Sequence, residues 1–258
     1  MSSYLYEQPS PSQQTPSELL GRALWPVFAR PIQVDPAQAE VARRLFEQAE
    51  PEAVRYFTLT EHPKTPLTLQ CITGEDGVVR LPQLDSATDQ VAYLYTTKRR
   101  LMHLPKERIV EVERKPPVEI VGIPTRLREA LAADLHTPLA LSELKRFLAA
   151  VNELSDAALR KKGSLARSHQ EDALRGFEAV TKTLTFGTEP PAVFLTRLRD
   201  RRAKARGISK ALVERKIHER QVARENRDFA GADAVRAQLI ELGVELLDSA
   251  EGTDWTVT

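Results

Sequence analysis

The sequence predicts a mainly α protein: a helical bundle, preceded by a short β insertion and followed by a small C-terminal α/β domain. Three observations support this. From residue 35 onward, apolar residues recur mostly at helical spacing. Residues 69–84, LQCITGEDGVVRLPQL, instead suggest two short strands around a glycine-bounded turn. The last forty residues combine two amphipathic helices with an alternating segment typical of a hairpin.

Composition narrows the functional classes. The charged fraction is 28% and the net charge only +1, so binding to nucleic acid would require an uneven distribution of charge. The single cysteine, Cys71, excludes a disulfide framework and a four-cysteine zinc site within this chain. We therefore expect no metal and no cofactor. The N-terminal segment lacks a secretory pattern and no run is apolar enough for a membrane helix, so a cytoplasmic protein is expected.

Pro- and Gly-rich breaks divide the chain into four predicted parts. A polar tail and extended arm come first, then short helices with the β insertion, then the helical bundle with an internal linker, and finally the α/β domain. The predicted boundaries are 1–34, 35–85, 86–195 (with the linker at 105–124) and 205–258.

The helices of the bundle follow from apolar stripes and helix-start signals. Thr137 is predicted to be an N-cap, with Pro138 at the first helical position. A long amphipathic segment at about 153–184 is expected to complete the bundle. TFGTEPP then breaks the helical pattern at residues 185–191.

The C-terminal domain carries the clearest local signals. Ser209 and Asp228 are placed to cap two successive helices, and Gly243 follows the second helix where a left-handed residue belongs. Val244 and Leu246 then alternate with polar residues before a turn, and the chain resumes with Trp255. This pattern predicts a hairpin packed on two helices.

The same stretch resembles the C-terminal end of cysteinyl-tRNA synthetases. The matching pieces are ER-x-x-AR, D-F-A-x-AD-x-x-R, L-x-x-x-G-V-x-L-x-D and G-T-x-W, in that order between residues 219 and 255. LREALAADLHTPLALSELKRFLAAVNEL, at 127–154, resembles the helical bundle of that family, and VARRLFEQAEPEAVRYFTLTEHPKTPL, from residue 41, resembles the helices after its catalytic domain. The resemblance implies a bundle of the class I synthetase anticodon-binding type and a small domain that receives the anticodon.

The family's ligase activity depends on an H-x-G-H loop, a K-M-S-K-S-type loop and a zinc site for the cysteine thiolate. None of these occurs in the sequence: its five histidines never form an H-x-G-H pair, and one cysteine cannot build the zinc site. The resemblance therefore implies a catalytically inactive paralogue of the non-catalytic half of the synthetase, standing alone.

A basic segment leads into the anticodon-like domain. Residues 197–227 hold twelve Lys or Arg against four Asp or Glu, a local excess of +8. We interpret its first part as a phosphate-binding surface for tRNA and name it the basic stripe; a solvated helix face is the alternative. Two bundle residues could touch tRNA as well or simply be solvated. The basic stripe comprises Arg197, Arg199, Arg201, Arg202, Lys204 and Arg206, and the bundle residues are Lys98 and Arg99.

Four residues stand where the family's anticodon readers sit: Arg224, Phe229, Asp233 and Asp248. An arginine can donate two hydrogen bonds to guanine, a carboxylate can accept from a cytosine amino group, and an aromatic ring can stack on a base. The alternatives are structural: Phe229 as core, Asp233 as a first-turn acid that favours the helix dipole, and Asp248 as a turn residue.

The sequence leaves three functions open. The first is an inactive tRNA-binding protein, with tRNA-Cys as the natural candidate. The second is a protein-interaction module that binds a partner such as a full synthetase, with residues 69–84 as the contact surface. The third is the tRNA-binding half of a split synthetase. Oligomeric state has no signal in the sequence.

Overall fold

The computed structural model describes residues 32–75, 77–249 and 252–257, without the side chains of 247–249. The predicted tail and the aromatic residues of the arm lie outside the described residues. The fold is mainly helical with small two-stranded sheets, as the sequence predicts. It divides into two compact units, which we call the bundle unit (up to Pro191) and the C-terminal unit (Ala192–Thr258).

Helices account for most of the described chain. In order they are α1 Ala39–Glu47, α2 Pro51–Leu59, α3 Pro82–Met102, α4 Val118–Val121, α5 Ile123–Ala132, α6 Thr137–Leu159, α7 Arg167–Leu184, α8 Pro191–Ala205, α9 Lys210–Glu225 and α10 Phe229–Glu241. Short 3-10 turns at Pro36–Gln38 and Lys106–Arg108 precede α1 and follow α3.

The strands are short and pair two by two. In the bundle unit β1 (Ile32–Gln33) runs parallel to β2 (Leu67–Thr68), β3 (Ile72–Thr73) antiparallel to β4 (Val79–Arg80), and β5 (Ile109–Val110) parallel to β6 (Leu165–Ala166). The β3–β4 pair is the predicted insertion, and Gly77 adopts φ +73° in its turn. In the C-terminal unit β7 (Val244–Ser249) pairs antiparallel with β8 (Gly252–Val257), with Leu246 opposite Trp255.

The core of the bundle unit lies where α3, α5, α6 and α7 pack together. Phe147 of α6 meets Phe177 of α7 edge to face, with ring centroids 5.1 Å apart. Gly176 permits this approach, because a Cβ at that position would lie 2.5 Å from the Phe147 ring. Both helices contribute apolar stripes at helical spacing, so the sequence pattern alone selects the buried faces.

A buried carboxylate joins the beginning of the bundle unit to its end. Glu52 of α2 accepts hydrogen bonds from the Tyr95 hydroxyl (2.8 Å), from the Gly187 N–H (2.9 Å) and from the Thr188 N–H and hydroxyl (3.1 and 2.7 Å). Burial raises the pKa of Tyr95 well above its usual value, so the hydroxyl remains a donor. The segment that follows α7 is therefore held against α2 and α3.

One local prediction is wrong, and a second segment differs in detail from its predicted pattern. His136, not Thr137, is the N-cap of α6. The His136 Nδ1 accepts from the Leu139 N–H at 3.1 Å, so an imidazole rather than a threonine hydroxyl caps the helix. Thr137 is the first helical residue, and its hydroxyl donates to the Glu61 carbonyl at 3.0 Å. The amphipathic segment predicted at about 153–184 comprises the end of α6 and all of α7, with a break between them where Leu165–Ala166 pairs with β5.

Candidate nucleic-acid interface

The basic stripe lies on α8, and Arg199 is its most enclosed member. Its guanidinium lies 4.6 Å from the centroid of the Trp255 ring, and its Nη1 is 3.3 Å from the Asp254 carboxylate. A second carboxylate, that of Asp200, lies 2.9 Å from Nη2, and only 13% of the side chain is exposed. A phosphate-binding surface and a solvated helix face would both place Arg199 on open helix surface. This is wrong for Arg199, because stacking and ion pairing fix it to the terminal hairpin.

Three further arginines of the stripe also contact the protein. Arg202 donates to the Val257 carbonyl at 3.3 Å, and the Arg197 guanidinium lies 5.5 Å from the centroid of the Phe194 ring. Arg206 lies against Gly243, where a Cβ would come within 2.6 Å of its guanidinium. Gly243 adopts φ +76°, so conformation and space both require glycine there. Arg201 and Lys204 are exposed.

The core beneath these side chains is small. Ala203, Val213, Leu239, Val244, Trp255 and Val257 form one buried cluster. Ile208 packs against it beside the predicted cap Ser209, which accepts from the Leu212 N–H at 3.4 Å. Trp255, the tryptophan of the G-T-x-W motif, therefore has a structural role in the cluster as well as its contact with Arg199.

The corner between α9 and α10 carries three of the four predicted anticodon readers. The Asp228 N–H donates to the Ala223 carbonyl at 2.8 Å, and the Arg227 N–H donates to the Arg224 carbonyl at 3.0 Å. Together these bonds make a Schellman cap, with Arg227 in the left-handed conformation at φ +60°. The Asp228 side chain then accepts from the Gly231 N–H at 2.9 Å, which caps α10 as predicted.

The side chains at this corner face solvent. Phe229, the first residue of α10, is 64% exposed, so the interpretation of Phe229 as core is wrong. Asp233 is exposed one helical turn later on the same side of α10, beyond the first turn, so the first-turn interpretation also fails. Arg224, in the last turn of α9, is exposed as well. An exposed aromatic ring, a carboxylate and an arginine can together stack on a base and hydrogen-bond to its edge.

The other residues considered for RNA binding lie in the terminal hairpin, on α3 and at the end of α9. The backbone of Asp248 pairs with Thr253 in the hairpin, and its side chain lies outside the described part of the chain. Lys98 and Arg99 on α3 are half-buried, and the Lys98 ammonium lies 5.9 Å from the Phe177 ring centroid. Glu225, which would repel phosphate, accepts from the Gln221 side chain at 3.0 Å. Because its ammonium lies over the Phe177 ring, Lys98 is partly engaged in covering the core.

Among the described residues, no group of three or more His, Cys, Asp or Glu is placed to hold a metal ion. Cys71 is half-buried after β2, and burial, together with Asp35, raises the pKa of its thiol. A raised pKa lowers the thiolate fraction, which makes this cysteine a poor nucleophile and metal ligand. Across the same residues, no helix has the length and apolar character to span a membrane.

Comparison with known proteins shows which enzymes the chain is similar to. The chain is 31% identical over 219 residues to a cysteine–tRNA ligase of Geobacter sulfurreducens, an alignment that covers 83% of this chain and 42% of the relative. The figures for the ligase of Geotalea uraniireducens are 33% over 220 residues, 83% and 44%; for that of Anaeromyxobacter dehalogenans they are 34% over 210 residues, 80% and 39%. The chain resembles part of cysteine–tRNA ligase. No protein-family profile matches it.

The alignment covers only part of each ligase. The chain spans about two fifths of the length of the curated relatives it matches. The similarity extends over most of this chain and confirms the resemblance that its motifs predict. The RNA-contacting roles of the basic stripe and of the α9–α10 corner stay predictions.

Proposed function

We propose that this chain binds tRNA through its C-terminal unit, with the α9–α10 corner contacting the anticodon loop and the exposed part of α8 contacting phosphates. The observation that carries this proposal is the exposure of Phe229 beside Arg224 and Asp233, within a chain that resembles cysteine–tRNA ligase. A ring that is 64% exposed loses apolar contact with the core, and stacking on a base would restore it. By the same resemblance, tRNA-Cys is the proposed cognate RNA.

Substitutions at the α9–α10 corner test whether this corner recognises bases. Replacing Phe229 with Ala should cost about 1–3 kcal/mol of binding energy by loss of stacking. Arg224→Ala should cost about 1–3 kcal/mol against tRNA-Cys and little against other tRNAs. Ile240→Ala is the matched control for Phe229, because Ile240 is a comparably exposed apolar residue of the same helix, 58% accessible. Titration of each variant with tRNA-Cys and with a pool of other tRNAs separates sequence reading from general affinity.

Two results would contradict base recognition at the corner. One is a Phe229→Ala variant that binds as tightly as Ile240→Ala. The other is an Arg224→Ala variant that weakens all tRNAs equally, which would make this arginine a phosphate contact rather than a base reader. Thermal melts of all three variants should agree with the wild type, because these side chains are exposed.

Phosphate binding by α8 has a separate signature. Replacing Arg201 and Lys204 with Ala should weaken every tRNA alike and flatten the dependence of log affinity on log salt by about 1.4–1.8, or about 0.7–0.9 per contact. Arg128 and Lys145, on exposed faces of α5 and α6, provide a charge-matched double variant as control. Equal slopes for the two double variants would remove α8 from the proposal.

We also propose that these 258 residues by themselves carry no aminoacylation chemistry. The support is the absence from their sequence of the phosphate-gripping loops and of the cysteines for a thiolate-binding zinc site. Purified protein should give no cysteine-dependent ATP–pyrophosphate exchange. Exchange that persists after removal of contaminating synthetase, and that tracks the protein through a second column, would overturn this part.

A second candidate function is supported by one observation. The β3–β4 hairpin exposes Ile72 and Val78, each 51% accessible. Two exposed apolar side chains on one hairpin suit a protein contact. If the wild type binds no tRNA at low salt but sediments with full-length cysteine–tRNA ligase, and Ile72→Ser/Val78→Ser abolishes that complex, the interaction module replaces the tRNA-binding proposal.

A further inference from the structure

A tight turn at the end of α6 presents three consecutive cations. Arg160, Lys161 and Lys162 follow the helix, and Gly163 closes the turn by donating its N–H to the Arg160 carbonyl at 2.8 Å. We name residues 160–163 the basic turn. It belongs to the bundle unit and is separate in sequence from the basic stripe.

The basic turn is held in a defined conformation. The Arg108 guanidinium donates to the carbonyls of Arg160 (3.3 Å) and Gly163 (3.1 Å). Gly163 lies so close to α6 that a Cβ there would be 2.0 Å from the Ala157 carbonyl oxygen. Immediately after the turn, β6 pairs with β5. The main chain is thus fixed from both sides, and the three side chains project from a rigid base.

The part of the chain that the structure describes offers these three cations no carboxylate partner. Among the described residues, no acid lies within ion-pair distance of Arg160, Lys161 or Lys162, and all three are exposed. The nearest acids along the chain and across the adjoining strand are already engaged: Asp156 pairs with Arg100, and Glu111 with Arg167. An incoming anion would have no intramolecular ion pair to displace here.

The conformation of Lys162 adds an independent argument. Its φ of +64° places it at the third position of a turn that favours glycine or asparagine. A side chain there carries a conformational cost, and residues with such a cost cluster at functional sites. Glycine would close the same turn without strain, but without a charge.

We propose that the basic turn is a second RNA phosphate-binding surface, located on the bundle unit. The inference rests on the proposed tRNA binding and extends it from one unit of the protein to both. Three preorganised cations that pair with no described acid can neutralise backbone phosphates and release counterions, with little loss of main-chain entropy on binding.

The test compares two charge-matched triple variants of the full chain by tRNA titration at several salt concentrations. Arg160→Ala/Lys161→Ala/Lys162→Ala should weaken tRNA binding roughly tenfold or more at low salt and flatten the log–log salt slope by about 2–2.7. Arg128→Ala/Lys145→Ala/Lys182→Ala removes the same charge from exposed helix positions elsewhere on the bundle unit, and its slope should stay near that of the wild type.

A single variant separates charge from fold. Lys162→Gly keeps the left-handed turn and removes one cation, so it should flatten the slope by about 0.7–0.9 while the melting temperature stays equal or rises. Triple variants with equal slopes would overturn the inference and leave the proposed function standing. A wild type that binds no tRNA would overturn both. The inference would also be overturned if the Arg160→Ala/Lys161→Ala/Lys162→Ala variant bound tRNA as the wild type does but lost binding to anionic lipid vesicles.

Discussion

The two basic segments of this protein use their charges in opposite ways. On α8, Arg199 stacks on Trp255 and pairs with two carboxylates, and Arg202 donates to the carbonyl of Val257. In the basic turn the main chain is held by Arg108, and the three cations project without acidic partners among the described residues. The segment with the higher charge count thus has several of its cations committed to the fold.

The difference shows that a count of lysines and arginines overestimates the charge available to a ligand. An arginine that stacks and pairs with its own protein must break those contacts before it can bind phosphate. A lysine on a preorganised turn has no such contacts to lose. Affinity for RNA should therefore depend on which cations are unengaged, rather than on the local excess of +8 in residues 197–227.

The largest expected effect is on stability. Arg199→Ala should lower the free energy of unfolding of the C-terminal unit by about 2 kcal/mol, because it removes a cation–π contact and two ion pairs from a mostly enclosed side chain. Urea denaturation followed by fluorescence measures this. In a Trp25→Phe background Trp255 is the only tryptophan and reports on this unit alone.

Lys204→Ala is the control, since an exposed lysine of the same helix should change stability by no more than about 0.5 kcal/mol. Arg199→Lys should recover only part of the loss, because an ammonium cannot reproduce the stacked planar fork. If Arg199→Ala proved as stable as Lys204→Ala, the contrast between engaged and unengaged cations would fail on α8.

An intermediate effect is expected at three left-handed positions. Gly207 ends α8 at φ +66° with no atom close to where a Cβ would be, whereas Arg227 and Lys162 adopt similar angles with side chains. Gly207→Ala should therefore destabilise by about 1 kcal/mol from backbone strain alone. Arg227→Gly and Lys162→Gly should each stabilise by about 0.5–1 kcal/mol.

In these denaturation experiments, the sign of the change in the free energy of unfolding is informative. Gains at Arg227 and Lys162 would show that stability is given up at the two turns where we propose RNA contacts. Losses at both sites would mean that their side chains make stabilising contacts that outweigh the conformational cost of the left-handed positions.

The smallest effect is expected at the surface of the basic turn. Arg160→Ala and Lys161→Ala should each change the free energy of unfolding by less than about 0.5 kcal/mol, because both side chains are exposed and form no ion pair with any described residue. The matched comparison is Arg108→Ala, which removes two hydrogen bonds to the turn and should cost more than either. Equal losses for all three would mean that the charges, too, hold the fold.

Most of the fold could be predicted from local signals. Asp228 caps α10, Ser209 caps α9 and Gly243 takes the left-handed position, because each of these devices depends on residues a few positions apart. The break between α6 and α7 could not be predicted in this way. Apolar spacing continues on both sides of residues 160–166, and the pairing that interrupts the helix is with β5, more than fifty residues earlier.

The candidate site could be predicted only in part. Phe229, Arg224 and Asp233 were identified by position, and the structure places all three at an exposed corner. The role of Arg199 could not be predicted, because its partners Asp254 and Trp255 lie some fifty-five residues away in the sequence. The basic turn could not be predicted, because R-K-K-G lies within the amphipathic segment at about 153–184, where charges by themselves indicate only a solvated face.

The Glu52 carboxylate, finally, has a consequence for how the bundle unit folds. It joins α2 to Gly187, 135 residues later, and closing a loop of that length costs roughly 4 kcal/mol of chain entropy beyond a constant term. Contacts of such high sequence separation tend to form late, after local helices have shortened the effective loop. The amide protons of Gly187 and Thr188 should therefore report ring closure in hydrogen exchange, acquiring protection after the helical amides during refolding.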